Sequence, residues 1–522
     1  MALSSALAVL MLIWSPPVGD LAAQVFRTEL FQRAGLAIWN GSWYGGHYIL
    51  TYSLLFPPLG ALFGPQLVGG IAVVSSSYLF DRLVRDRWGV EARWATLWFA
   101  AGVVTLLADG QLTFALGVAF GLASLRCLQV GRARLAVLAA AACALASPVA
   151  AAFLAGVIFA GAWERGRRVN RAAIAAGALA LVLTIVPNLA FPEPGQFPFA
   201  FSSFIAIPLW CAGALYIIRD LPEERQLRRV VVGYLLASTL IWLTPNALGG
   251  NAVRLGALFG GPVLAAVVLS RRPRVAHWLL ALAMVGSLYW QLTASVTQIA
   301  RSVGDPSTTS AYFQPAATWL RAHGGEGMRI EVPPTANHWE SAYLAPKFEL
   351  ARGWLRQLDA TRDDVFYDEG ELTNSAYSAW LRANAISYVA LPDAPLDYSS
   401  TAERRLILSE PSYLTLRYRS EHWRIFQVRD PRPLVAPIGG PGRAQTLWVG
   451  RQGFALDVTT PGEFLVRVNF TPYWSISRGS GCILRRGDWT VARASQPGIF
   501  RVEADFSLGR AWNAVTGARK TC

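Results

Sequence analysis

Charge is scarce in this chain: only 15% of its 522 residues are Asp, Glu, Lys or Arg, against 53% apolar, and mean hydropathy is +0.34. That excludes an ordinary soluble enzyme and points to a polytopic membrane protein. Cysteine is scarce as well, and none of the five forms a CxxC or Cys/His cluster, so no zinc site is suggested. Cys127, Cys143 and Cys211 fall in or beside apolar stretches, as small core residues do. Cys482 and Cys522 lie in the more charged C-terminal part, where an oxidising compartment would let them pair. Internal repeats are absent, and apolar runs of spanning length stop near residue 293.

Apolar segments are what the first 300 residues do have. Eleven are expected to cross the membrane, at 2–18, 52–80, 93–108, 111–126, 134–146, 148–163, 172–189, 202–218, 229–244, 254–270 and 275–293. With a cytoplasmic N-terminus, the inner loops 81–93, 126–134, 164–171, 219–229 and 271–274 hold 18 Arg. The outer loops 20–48, 107–111, 190–201 and 245–254 hold only Arg27, Arg33 and Arg254. The positive-inside rule is obeyed throughout, so the net charge of +14 is a topology signal and not a nucleic-acid footprint. An odd number of crossings then places residues 301–522 outside the cell. Arg134–Trp163, turning at Ser147-Pro148, reads as two half-length helices or as one kinked span with a re-entrant piece. The first segment lacks the basic flank and small-x-small cleavage site of a signal peptide and is expected to remain as a helix.

Beyond the membrane body (1–300), residues 301–430 read as an extracytoplasmic α/β domain. Helices are expected near Tyr312–His323 and Thr373–Asn384, and strands at Arg329–Val332, Ser387–Leu391, Tyr413–Tyr418 and Trp423–Val428. Residues 431–522 turn to short alternating runs broken by Gly and Pro, the spacing of a β-sandwich. Within it, Phe470-Thr-Pro-Tyr-Trp474 places two aromatics near a turn. Trp474 either stacks on a sugar ring or belongs to the sandwich core.

The chemistry-bearing candidates gather at the outer face. Asp20 follows the first apolar segment directly and opens a polar stretch with Arg27, Glu29, Arg33, Tyr44 and His47. If residues 21–34 are helical, Asp20, Gln24 and Arg27 share one side. A base, a polar orienter and a phosphate-seeking cation would then point together; the plainer reading has Asp20 capping a helix that starts at Leu21. Trp39 and Trp43 suit an interfacial aromatic belt. Thr244–Leu255 breaks an apolar region with two glycines and carries Asn251 and Arg254. An arginine at that depth needs a lipid phosphate or a structural acid such as Asp20 or Asp109. Asp109-Gly110 reads as a turn. Further on, His338, Glu340, Arg352, Trp354, Arg356, Gln357 and Asp359 form a polar cluster that either faces a membrane cavity or is a solvated surface.

A carboxylate after the first helix, a long first outer loop, about a dozen spans and an outer C-terminal domain together resemble the GT-C class of polytopic glycosyltransferases. Trp43-Tyr-Gly-Gly-His-Tyr48, Leu55-Phe-Pro-Pro58, Gly249–Leu255 and Ala351–Asp359 are similar to segments of an actinobacterial membrane-protein family without an assigned activity. GT-C members often carry paired acids in the first loop, whereas this chain has Asp20, with Glu29 nine residues on. The resemblance implies transfer of a sugar from a polyprenyl-phosphate donor to an extracytoplasmic glycan, lipid or protein. Asp20 would be the catalytic base. The substrate-binding set would be Arg27, Glu29, Arg33, Tyr44, His47, Asn251, Arg254, Arg352, Trp354 and Trp474, with neither metal nor cofactor required. A lipid or glycan transporter or flippase would instead show inverted repeats and midplane charges. A non-catalytic envelope-assembly protein would not need Asp20.

Overall fold

The computed structural model describes residues 1–162, 170–324, 328–368 and 370–517. Most of the expected inner loop 164–171 lies outside these residues, as does Cys522 of the expected Cys482–Cys522 pair. The chain forms two compact units. Met1–Gln32, Thr51–Pro187 and Gln196–Val303 make the first; Arg33–Leu50, Asn188–Gly195 and Gly304–Cys522 make the second. Two short pieces that lie between apolar segments in sequence, 33–50 and 188–195, therefore belong to the second unit.

The first unit is helical, and each of the eleven expected apolar segments contains a helix. Six helices among the described residues are long and apolar enough to cross a bilayer, which makes this a multi-pass membrane protein. A seventh crossing results if Ala2–Trp14 and Gly19–Ala34, bent by 79° at their junction, count as one. The expected continuous segment 52–80 is instead two helices, Phe56–Phe63 and Pro65–Trp88. Gly64 takes φ +85° between them, and Pro65 has no N–H with which to continue the preceding turn. Ala133–Ala146 and Pro148–Ala162 form a half-length pair of 14 and 15 residues, short of the ~20 a crossing requires. Eleven helical segments thus do not amount to eleven established crossings.

Helices approach closely where side chains are small: a Cβ on Gly117 would lie 2.7 Å from those of Ser147 and Ala150. Polar contacts add to this, since Gln291 accepts from Trp98 Nε1 at 2.7 Å and donates to the Leu258 carbonyl at 3.3 Å. Glu224 ties three Arg-rich loops together. Its buried carboxylate accepts from Trp88 Nε1 at 2.9 Å, Arg87 at 3.0 Å and Arg271 at 3.2 Å. Burial alone would raise this acid's pKa, but the hydrogen bonds from Trp88 and Arg87 and the Arg87 charge outweigh it and hold the carboxyl below its ordinary value.

The second unit begins with a small hairpin, β1 (Trp39–Asn40) against β2 (His47–Tyr48). A five-stranded sheet follows from β3 (Arg329–Glu331), β4 (Glu349–Leu350), β5 (Ile386–Pro392), β6 (Leu414–Arg419) and β7 (Trp423–Val428). Its order is β4-β3-β5-β7-β6, with β3 parallel to β4 and β5 and the other pairs antiparallel. The remaining strands are β8 (Val435–Pro437), β9 (Arg443–Gly450), β10 (Gly453–Thr460), β11 (Gly462–Asn469), β12 (Trp474–Arg478), β13 (Gly481–Arg486), β14 (Trp489–Ala494) and β15 (Gly498–Ala504). They form two antiparallel sheets, β12-β15-β10-β9 and β13-β14-β11-β8. Alternate residues Phe454, Leu456 and Val458 on β10 and Phe464, Val466 and Val468 on β11 point into one core, which also takes in Trp39, Tyr48 and Phe191.

Glu224→Ala would leave Arg87 and Arg271, each about one-third exposed, without their acid. Charged hydrogen bonds of this kind contribute about 1–3 kcal/mol net. A lowered thermal midpoint of the detergent-purified protein is expected; an unchanged midpoint would show that the three loops do not need the clamp.

Candidate active site

Asp20 lies within the first turn of the helix Gly19–Ala34 and not at its N-cap, so the expected capping role at Leu21 does not apply. The positive end of that helix favours its carboxylate. Arg254 occupies the first turn of Val253–Arg271 and brings Nη2 to 4.0 Å from Asp20 Oδ2, with the two side chains 25% and 26% exposed. At that distance the charges attract without a hydrogen bond fixing them. The guanidinium also faces the Phe114 ring, 5.4 Å from its centroid.

Asp109 joins this pair, although its sequence context reads only as a turn. Its Oδ2 accepts from Ser295 Oγ at 2.9 Å, and it interacts electrostatically with both Asp20 and Arg254. Gly110, at φ +72°, seats the turn: a Cβ there would fall 2.5 Å from the Leu21 backbone nitrogen. Only glycine fits at this point. Three distant pieces of chain thus bring two carboxylates and one guanidinium together in the first unit.

The neighbouring candidates are placed differently. Gln24 and Arg27 are buried on the same helix as Asp20, and the Arg27 guanidinium lies 3.5 Å over the Tyr52 ring. Glu29 is half-buried, Arg33 is exposed in the last turn, and Asn251 is half-buried in the short turn Gly249–Ala252 just before Arg254. The close fit of that turn sets Arg254, since a Cβ on Gly249, at φ +42°, would meet the Phe197 carbonyl at 2.0 Å.

Tyr44 and His47 belong to the second unit, as do the two tryptophans expected in an aromatic belt. Trp39 and Trp43 are 2% and 1% exposed, so the belt reading is corrected. Trp39 packs edge-on against Tyr48 and Trp474, and the His47 ring stacks on Trp43 at 5.5 Å. Tyr44, Gly45 and Gly46 all take positive φ. A Cβ on Gly46 would lie 2.3 Å from the Trp39 ring, and one on Gly353 2.5 Å from Trp43. The Tyr44 and Gly46 carbonyls accept from Asn469 Nδ2 at 2.7 and 2.8 Å, and Arg362 donates to Gly46 at 2.9 Å. The Trp43–Tyr48 motif therefore builds a packed turn, and Tyr44 spends its hydroxyl on the Leu355 carbonyl at 3.1 Å.

Arg352 is walled in. It donates to Asp359 at 2.6 and 3.0 Å, to Ser399 at 2.8 Å and to Glu403 at 3.3 Å. With its side chain fully buried, the guanidinium presents no face to a substrate. Trp354 is half-buried nearby. Trp474 is 7% exposed, with Nε1 bonded to Thr490 Oγ1 at 3.0 Å; it belongs to the sandwich core and also lines the cleft of the second unit.

Sequence reading did not single out the cleft of about 1300 Å³ in the second unit, lined by Tyr48, Glu193, Arg362, Asn469, Trp489 and Arg510 among others. Glu193 accepts from the Tyr48 backbone N–H at 2.5 Å and from Arg362 at 3.0 Å. Burial pushes its carboxyl up to about 7 despite the Arg362 charge. Because residues 188–195 sit at the end of an apolar run, only their meeting with the rest of the second unit reveals Glu193.

Breaking a buried ion pair from one side costs about 3–5 kcal/mol. Arg352→Ala is therefore expected to lower the folded yield and thermal midpoint; a stable variant with altered substrate use would reverse that reading. His338, held at φ +54° with its nitrogens 3.4 Å from Glu340 and 3.5 Å from Asp397, gives a pH signature. Burial opposes its charge, but the hydrogen bonds and charges of Asp397 and Glu340 prevail and push it up to about 9. A raised histidine pKa contributes stability that is complete below the unfolded value, ~6.5, and is lost as pH rises through about 9. Thermal midpoints should fall over that window, and His338→Gln should flatten the slope.

No protein-family model matches the chain, and no curated protein matches it in sequence. Among solved structures it is similar to ArnT from Cupriavidus metallidurans bound to undecaprenyl phosphate. The identity is 12%, over 81% of this chain and 97% of that one, with a TM-score of 0.39. A likeness this loose assigns neither substrate nor residue roles.

Proposed function

We propose that this chain is a membrane glycosyltransferase of the GT-C kind, moving a sugar from a polyprenyl-phosphate donor to an extracytoplasmic glycan, lipid or protein. The observation that carries the reading is the approach to 4.0 Å of Asp20 and Arg254, which lie on two helices far apart in the sequence. Asp20 acts as the general base on the acceptor hydroxyl. Arg254 receives the lipid phosphate as negative charge develops on it, a fork-shaped donor matched to phosphate oxygens. Asp109 sets a second carboxyl group beside the pair, and the Gly110 turn that follows it fits against the Asp20–Leu21 backbone. Arg27, directed at Tyr52, is less suited to the phosphate than sequence reading supposed. The Arg-rich loops orient the body with residues 304–517 outside the cell. The polar and aromatic cleft around Glu193 and Trp489 is the candidate acceptor-recognising surface.

Asp20→Asn keeps the side-chain volume and removes the base. A loss of about 10²–10⁴-fold in transfer is expected, with donor binding retained. Arg254→Ala should weaken binding of the polyprenyl phosphate itself. Outer-glycan and glycolipid composition of cells carrying each variant checks this directly, and an abundant, folded Asp20→Asn protein with unchanged products would remove the transferase reading.

A further inference from the structure

The C-terminal helix Leu508–Thr516 carries an apolar face that the second unit leaves uncovered. Leu508, Trp512 and Val515, at i, i+4 and i+7, lie along one side and are 82%, 69% and 50% exposed. The side next to it is committed: Ala511 and Ala514 pack on the sandwich core. Arg510 is held by Asp505 at 2.6 Å and Ser475 at 2.8 Å. Ser507 caps the start through the Arg510 N–H at 3.2 Å. The helix is thus fixed in rotation, with its large side chains turned outward.

What covers that face is indicated by its neighbour. Phe506, half exposed, stacks on Tyr473 at 6.2 Å and lies 6.1 Å from Phe191. Tyr473 stacks on Phe191 at 5.0 Å and donates its hydroxyl to the Ala190 carbonyl at 2.7 Å. Ala190 is the last residue of the membrane-crossing helix Arg171–Ala190, and Leu189 beside it is 54% exposed. Apolar surface therefore continues from the end of a crossing, through Phe191, Tyr473 and Phe506, onto Leu508, Trp512 and Val515. A tryptophan in such a place suits the headgroup level, where its ring is apolar and its N–H is wet.

We propose that Leu508–Thr516 is an interfacial helix, its outer face embedded in the headgroup and acyl boundary of the same leaflet from which Ala190 emerges. This rests on the multi-pass character of the chain and not on the transferase reading. The test places a nitroxide in turn at Leu508→Cys, Trp512→Cys and Val515→Cys. The full chain carries Cys127, Cys143 and Cys211 replaced by alanine and is held in nanodiscs of phosphatidylethanolamine and phosphatidylglycerol. Glu421→Cys, 87% exposed on the α/β domain, is the aqueous control. Collisions with dissolved oxygen should exceed those with a water-soluble nickel chelate at all three helix positions, with the ratio inverted at 421. Chelate access matching that at 421 would overturn the proposal, and so would shielding from both reagents, which would mean that protein covers the face.

Discussion

Two backbone carbonyls, those of Tyr44 and Gly46, carry more of the second unit than their number suggests. They accept from Asn469 at the end of β11, and Gly46 also accepts from Arg362 of the α/β domain. The Leu350 N–H on β4 donates to the Ser42 carbonyl at 2.9 Å, and the Gly41 N–H donates to Arg451 between β9 and β10 at 2.8 Å. A turn taken from the first outer loop thus satisfies polar groups of both the α/β sheet and the sandwich. Buried backbone groups left open would each carry a desolvation penalty. The Trp39, Trp43 and Tyr48 rings fill the space around the turn, and Gly45 and Gly46 let the chain pass where a side chain would clash.

In the first unit the constraint is electrostatic. Membrane surroundings make an unpaired arginine costly, so Arg254 near a helix start requires an anion. Asp20 partly provides it at a distance that leaves both groups accessible, while Asp109 sits more deeply, 4% exposed and bonded to Ser295. At the other end of the same helix, Arg271 is tied through the buried Glu224 to Arg87 and Trp88. One helix, Val253–Arg271, therefore begins at the open pair and ends at a closed clamp.

How much of this was legible in the sequence depended on the range of the interaction. Period-2 runs at 413–418 and 423–428 predicted β6 and β7 nearly to the residue, because alternation is a local consequence of one buried face. Apolar runs located the helices, but not whether each one crosses, since Gly64-Pro65 and Ser147-Pro148 cut them in ways that length alone does not reveal. Asp20 and Arg254 were read as partners because charge in an apolar region has few ways of being satisfied. Arg352 was misread for the same kind of reason: an arginine among acids looks alike whether it is a ligand or a strut, and only burial separates the two. Trp39 and Trp43 followed a membrane rule in a stretch whose neighbours turned out to be strands hundreds of residues away, at Trp474 and Leu350. Glu193 had no local signal at all.

The inclusion of residues 33–50 and 188–195 in the second unit bears on biogenesis. A ribosome making this chain releases the aromatic hairpin well before its sandwich partners, with the helices of the first unit in between. Closing contacts of such long sequence separation is slow. During that interval Trp39, Trp43 and Tyr48 are without the core they pack into. The nascent protein thus has a vulnerable period set by the length of its helical unit, and the second unit cannot mature until the strands β8–β15 have been made.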